Sequence, residues 1–137
     1  MKRFTFILLS LSALLAFSFT SCNDAQQVQP NTQTLTYTVR VNDWKLGTDE
    51  VGDYLFCEFR EPALTRQVYE NGMMAAYIRF SDGSLSPLPF SDFWLTPWRE
   101  EQVSCEFKPG LITFIFKSDD QSSDPYFDYD FTVKLMW

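Results

Sequence analysis

The segment YFDYDFTVKLMW, residues 126–137, decides the fold class. Phe127, Tyr129, Phe131, Val133, Leu135 and Trp137 fall on one side of an extended chain, and Asp128, Asp130, Thr132 and Lys134 fall on the other. Successive side chains of a strand point to opposite faces, so this alternation predicts a strand with one face in a core and one in water.

Working back from that strand, the same period of two recurs. Leu35, Tyr37, Val39 and Val41 alternate with Thr36, Thr38 and Arg40. Residues 54–59 place Leu55, Cys57 and Phe59 on the inner side, and residues 102–107 place Val103, Cys105 and Phe107 there. Lys108, Pro109 and Gly110 form a turn into residues 111–117, which are apolar on both faces and therefore suit a central, covered strand. Residues 73–80 add another strand, closed by the turn Ser81-Asp82-Gly83-Ser84. Helix is expected only between Thr65, which can cap it, and Asn71-Gly72, which can stop it. Pro62, Pro87, Pro89 and Pro97 punctuate the connections, and no internal repeat is visible. Six or seven short strands separated by turn signals predict an all-β domain, an antiparallel β-sandwich or rolled barrel, over residues 34–137.

The other end of the chain has a different character. Lys2 and Arg3 precede an uncharged apolar run over residues 4–19, which ends in Thr20, Ser21 and Cys22. This is the pattern of a signal peptide over residues 1–21, and small residues directly before a cysteine resemble the bacterial lipobox. The resemblance implies cleavage before Cys22 and lipidation of that cysteine. Phe19 departs from the aliphatic residue usual at its position. Residues 23–33 are polar, contain Gln26, Gln27, Gln29 and Pro30, and read as a flexible tether reaching about 18 Å. Asn23 follows the cysteine where inner-membrane lipoproteins would carry Asp, which implies the outer membrane, with the leaflet left open.

Removing residues 1–21 leaves 116 residues, enough for one domain with one core. It takes away two cations and no anion, so nine Lys and Arg face 18 Asp and Glu, and the net charge moves from −7 to −9. So acidic a surface repels phosphate backbones and anionic head groups, which disfavours nucleic acid as a partner and charge as the means of membrane attachment. Acyl chains, at about 0.8 kcal/mol per buried methylene, must then supply the hold.

The chain has no histidine, which excludes Ser-His-Asp and Cys-His catalysis and His-ligated zinc within it. No glycine-rich phosphate loop occurs. Cys57 and Cys105 share the core-facing side, so either a disulfide or two buried free thiols is open to them. Asp119, Asp120, Asp124, Asp128 and Asp130 gather hard oxygen ligands, but their spacing matches no defined calcium loop, and solvated acids are the expected state. No metal, cofactor or catalytic residue is expected. Phe93, Trp94 and Trp98, around Pro89 and Pro97, are candidate ligand-binding rings; the competing reading packs them on one end of the sandwich. Trp44 has the same two readings, with the core preferred.

Trp44, Pro62, Leu64, Thr65, Val68, Asn71, Gly72, Tyr77, Leu88-Pro89-Phe90 and the strand from Tyr129 together resemble a family of small Bacteroidetes lipoproteins with no assigned chemistry. Met73 and Met74 depart from that pattern. The resemblance implies a short β-sandwich behind a lipobox and supplies no catalytic residues. The expected function is a non-enzymatic envelope lipoprotein that binds or scaffolds, held to the membrane by its lipid. The alternatives are a glycan-binding accessory protein using exposed Trp residues and an inhibitor of a host or competitor hydrolase.

Overall fold

The computed structural model describes residues 30–92, 100–119 and 125–137. Within them lie nine strands: β1 (Thr32–Val39), β2 (Lys45–Thr48), β3 (Asp53–Arg60), β4 (Met73–Arg79), β5 (Leu85–Pro87), β6 (Phe90–Asp92), β7 (Glu101–Lys108), β8 (Leu111–Ser118) and β9 (Tyr129–Met136). One short helix, α1 (Arg66–Asn71), and a 3-10 turn (Val41–Asp43) complete the order.

The strands form two sheets, β1-β9-β4-β5 and β2-β3-β8-β7-β6, in which every neighbouring pair is antiparallel. The protein is an all-β sandwich. Its six long strands are those expected from the sequence; β2, β5 and β6 have three or four residues each, too few to display a period. As its two apolar faces require, β8 is central, between β3 and β7.

The core lies between the sheets. Tyr129, Phe131, Val133 and Leu135 of β9 and Ala76 and Ile78 of β4 meet Leu55 and Cys57 of β3, Val103 of β7, and Ile112, Phe114 and Phe116 of β8. Rings carry much of this contact. Tyr37 reaches across to Phe59, with centroids 4.7 Å apart, and Phe116 lies 6.2 Å from Tyr129. Trp44 packs beside both Phe116 and Tyr129, at 5.9 and 6.1 Å, so it belongs to the core; its Nε1 meets no acceptor among the described residues.

Two details of β9 differ from the alternation. Thr132, on the outward side, is buried because β9 is an inner strand and Thr36 and Tyr77 stand beside it in register. Trp137 lies past the strand's end and is exposed.

The helix stands where its caps place it. Thr65 Oγ1 accepts from Val68 N–H at 3.2 Å, and Gly72 N–H donates to Val68 O at 2.8 Å. Gly72 keeps a negative φ, so the stop is steric rather than left-handed. A Cβ there would lie 2.5 Å from Val68 O and 2.6 Å from Met136 O, which leaves glycine as the residue that lets the chain turn from α1 into β4 beside β9.

Candidate functional site

The inner faces of both sheets carry the core, and the outer face of the five-stranded sheet carries the most polar of the recesses described below. On the five-stranded sheet, register sets the outward residues in rows. Arg60, Leu111 and Lys108 form one row, and Glu58, Thr113 and Glu106 the next. Lys45, Phe56, Ile115 and Ser104 follow across four strands. A last row joins Gly47 to Tyr54 and Lys117 to Gln102. Of these, Tyr54, Phe56, Glu58, Gln102, Ser104, Glu106, Lys108, Thr113, Ile115 and Lys117 line a shallow recess of about 510 Å³, together with Asp49.

Phe56 and Ile115 make its apolar floor, and Tyr54 closes one end with its ring centroid 6.1 Å from that of Phe56. The position of Tyr54 depends on the strand beside it. A Cβ on Gly47 would fall 2.6 Å from the Tyr54 ring, so the ring lies over the backbone of β2 only because residue 47 has no side chain.

Lys117 roofs that end. Its Nζ sits 5.4 Å from the Tyr54 centroid and 2.9 Å from Asp49 Oδ2, so the ion pair arches over the ring. Asp49 is itself fixed, with Oδ1 accepting from the N–H groups of Val51 and Gly52 at 2.8 and 3.1 Å. The Lys117 ammonium first, and the Val51 N–H second, hold its carboxyl below the usual range. Thr48 Oγ1 donates to Asp53 Oδ1 at 2.7 Å and ties the two ends of this turn together.

The rest of the rim mixes both charges with neutral groups: Glu58, Glu106 and Lys108 stand with Gln102, Ser104 and Thr113. The lining offers both donors and acceptors beside an apolar floor, which suits a polar, uncharged ligand with an apolar face. Glu58 and Glu106 are both exposed, either side of Thr113.

Other recesses among the described residues are less polar. One, of about 440 Å³, lies on the outer face of the four-stranded sheet beside Met73, Met136, Tyr77 and Lys134. Another, of about 250 Å³, opens between the sheets beside Leu88, Pro89, Cys105 and Phe107.

Among the residues singled out from sequence, Cys22, Phe93, Trp94 and Trp98 lie outside the described residues. Cys57 and Cys105 are inside and do not form the disulfide that was open to them; both thiols are free. Cys57 pairs in register with Phe114, and Phe114 with Cys105, so all of β8 stands between the cysteines. Two strand spacings separate their Cα atoms by about 10 Å, beyond the roughly 4.4–6.8 Å that a disulfide spans. Burial first, and the Glu106 charge second, push the Cys105 thiol up to about 12; burial is also the main cause of the raised value at Cys57.

The acidic residues near the end of the chain divide. Asp120 and Asp124 fall outside the described residues. Asp128 Oδ1 accepts from Val41 N–H at 3.0 Å, and Asp130 Oδ1 accepts from Thr38 Oγ1 at 2.5 Å, so both tie the end of β1 and the residues after it to the chain where β9 begins.

Tyr54 and Phe56 were not among the sequence candidates. The signal was present: they are aromatic residues at the outward positions of a strand whose inward set is Leu55, Cys57 and Phe59. An outward ring can equally be isolated on a surface, and only the register that sets Ile115, Ser104 and Gln102 beside these two makes a recess of them.

No family model, no curated protein and no solved structure matches the chain.

Proposed function

We propose that this chain is a non-enzymatic envelope lipoprotein, anchored through Cys22, whose binding platform is the outer face of the five-stranded sheet and whose ligand is an uncharged glycan. The observation that carries the ligand class is the recess itself. The Phe56 and Ile115 floor offers an apolar surface to the C–H face of a sugar ring, and Glu58, Gln102, Ser104, Glu106, Lys108 and Thr113 offer the surrounding hydroxyls both donors and acceptors.

The charges favour a neutral ligand. Asp49 is already paired with Lys117, and the remaining carboxylates would repel an acidic sugar. Exposure of Glu58 and Glu106 supports binding rather than hydrolysis, since a glycosidase acid requires a carboxyl held in apolar surroundings. The anchor rests on the charged start, the apolar run and the small residues before Cys22, and the outer-membrane envelope on Asn23.

The test is titration of the full chain in detergent with a panel of neutral and acidic oligosaccharides, beside Phe56→Ala and Glu106→Gln. Neutral sugars should bind, with affinity falling roughly tenfold in Phe56→Ala, the size of one ring contact. Absence of binding, or binding indifferent to both changes, would remove the glycan reading. Fatty-acid labelling of the wild type, lost in Cys22→Ala, tests the anchor separately.

A further inference from the structure

Among the described residues four strands end the two sheets, and three of them are guarded. β2, β5 and β6 have four, three and three residues; β2 begins with Lys45, β5 ends on Pro87 and β6 ends on Asp92. Shortness, charge and proline are the devices that keep a strand edge from pairing with another chain. β1, at the edge of the four-stranded sheet, has none of them. Its eight residues, TQTLTYTV, contain no charge, no proline and no glycine.

The pairing with β9 determines where the backbone of β1 points. Asn31 N–H donates to Trp137 O at 2.8 Å and Trp137 N–H returns a bond to Asn31 O at 3.0 Å. Such reciprocal pairs recur at every second residue of an antiparallel ladder, so Gln33, Leu35, Tyr37 and Val39 turn their backbone groups toward β9. Thr32, Thr34, Thr36 and Thr38 therefore aim theirs off the open edge. All four are exposed, and these backbone N–H and C=O groups bond to no described residue.

We propose that this edge is a homodimer interface, in which β1 pairs antiparallel with β1 of a second copy about a two-fold axis through Leu35. Every residue whose backbone faces outward is threonine, so the edge is complementary to itself. With the axis at Leu35, Thr34 stands opposite Thr36 of the second copy and Thr32 opposite Thr38 of the second copy, each a reciprocally hydrogen-bonded pair. Facing threonines are favourable cross-strand neighbours. Leu35, on the core side, meets Leu35 of the second copy on the axis.

The occupant follows from charge. The chain carries a net −7, yet residues 32–39 bring no charge to the contact, so two copies approach there without like charges facing each other. A two-fold contact of this kind closes on itself and stops at two copies. It joins the two four-stranded sheets into one of eight and leaves both glycan platforms facing outward on the other sheets, so it stands or falls independently of that reading.

The test uses the full chain, by sedimentation in detergent and by cysteine crosslinking in membranes of the expressing cell. The wild type should sediment as a dimer, and Leu35→Cys should give a dimer on non-reducing gels that the wild type does not. Thr36→Lys, which puts like charges on the edge, and Thr34→Pro, which removes an outward N–H without touching a β9 bond, should each shift the chain to monomer and abolish the Leu35→Cys crosslink. Melting curves of both variants check that the fold is retained. A monomeric wild type would overturn the proposal, as would a dimer or crosslink that survives both substitutions. Capture of a different protein by the β1 edge in place of a second copy would overturn it too.

Discussion

Phe114 of β8 and Phe131 of β9 lie ring on ring, with centroids 3.9 Å apart and planes 9° from parallel, and both are fully buried. They belong to inner strands of opposite sheets, so this contact joins the two layers at the centre of the sandwich. Replacing either by Ala should cost about 3–5 kcal/mol. The double variant should recover about 0.5–1.5 kcal/mol of the summed loss, the part belonging to the ring pair itself. Urea denaturation of the four proteins measures both quantities. Equal and fully additive losses would show that the stack contributes nothing beyond its buried area.

Tyr37 connects β1 to the segment after β3. Its hydroxyl donates to Glu61 Oε2 at 2.7 Å, while Glu61 Oε1 accepts from Ala63 N–H at 3.0 Å. Burial first, and the Glu61 carboxylate second, push the phenol well above its ordinary range. Tyr37→Phe keeps the ring packing against Phe59 and removes only the bond to a charged acceptor, so a loss of about 1–2 kcal/mol is expected in urea denaturation. A loss below a few tenths would mean that water serves Glu61 equally well.

Gly47 tests the platform without altering any group that would touch a ligand. Gly47→Ala forces the Tyr54 ring off β2 and away from the Lys117 ammonium, at little cost in stability because the far end of a part-exposed side chain can swing aside. Saccharide affinity should fall with that displacement, and Phe56→Ala likewise lowers affinity with little change in melting temperature. Unchanged affinity in Gly47→Ala would place the bound sugar away from Tyr54.

The free thiols predict a dependence on pH. With a thiol pKa of about 12 against the ordinary 9.0, Cys105 holds about a thousandfold less thiolate in the folded chain near neutral pH. Alkylation of Cys105 at pH 8, followed by peptide mass spectrometry, should be at least about a hundredfold slower in buffer than in urea. The sign for stability follows. A neutral group whose pKa is raised by folding contributes fully below pH 9 and loses that contribution as pH rises from 9 toward 12. Cys105→Ser should therefore flatten the alkaline fall in stability. Comparable alkylation rates in buffer and urea would refute the burial of this thiol.

Much of the fold was legible from local pattern. Alternation in residues 126–137 named the inner face that carries Phe131, Val133 and Leu135, and the apolar character of residues 111–117 placed β8 in a sheet interior. Thr65 and Gly72 bounded the helix. These properties belong to a few consecutive residues, since a strand's two faces and a helix's caps are set by the backbone's own geometry. The absence of histidine, likewise a property of the chain alone, removed whole classes of catalysis.

Which strand lies beside which was not written locally, because pairing joins residues far apart in the chain and the side-chain period of two permits many partners and registers. Cys57 and Cys105 both face the core, as alternation says, yet only the order β3-β8-β7 puts Phe114 between them and keeps them from bonding. Tyr54 and Phe56 became a platform only when that same register brought Ile115, Ser104 and Gln102 alongside. The threonines of β1 became an open edge only because β9 took one side of the strand and no described strand takes the other. Periodicity tells each residue which face it occupies; the tertiary structure alone decides its neighbours there, because backbone hydrogen bonds between strands carry no record of sequence.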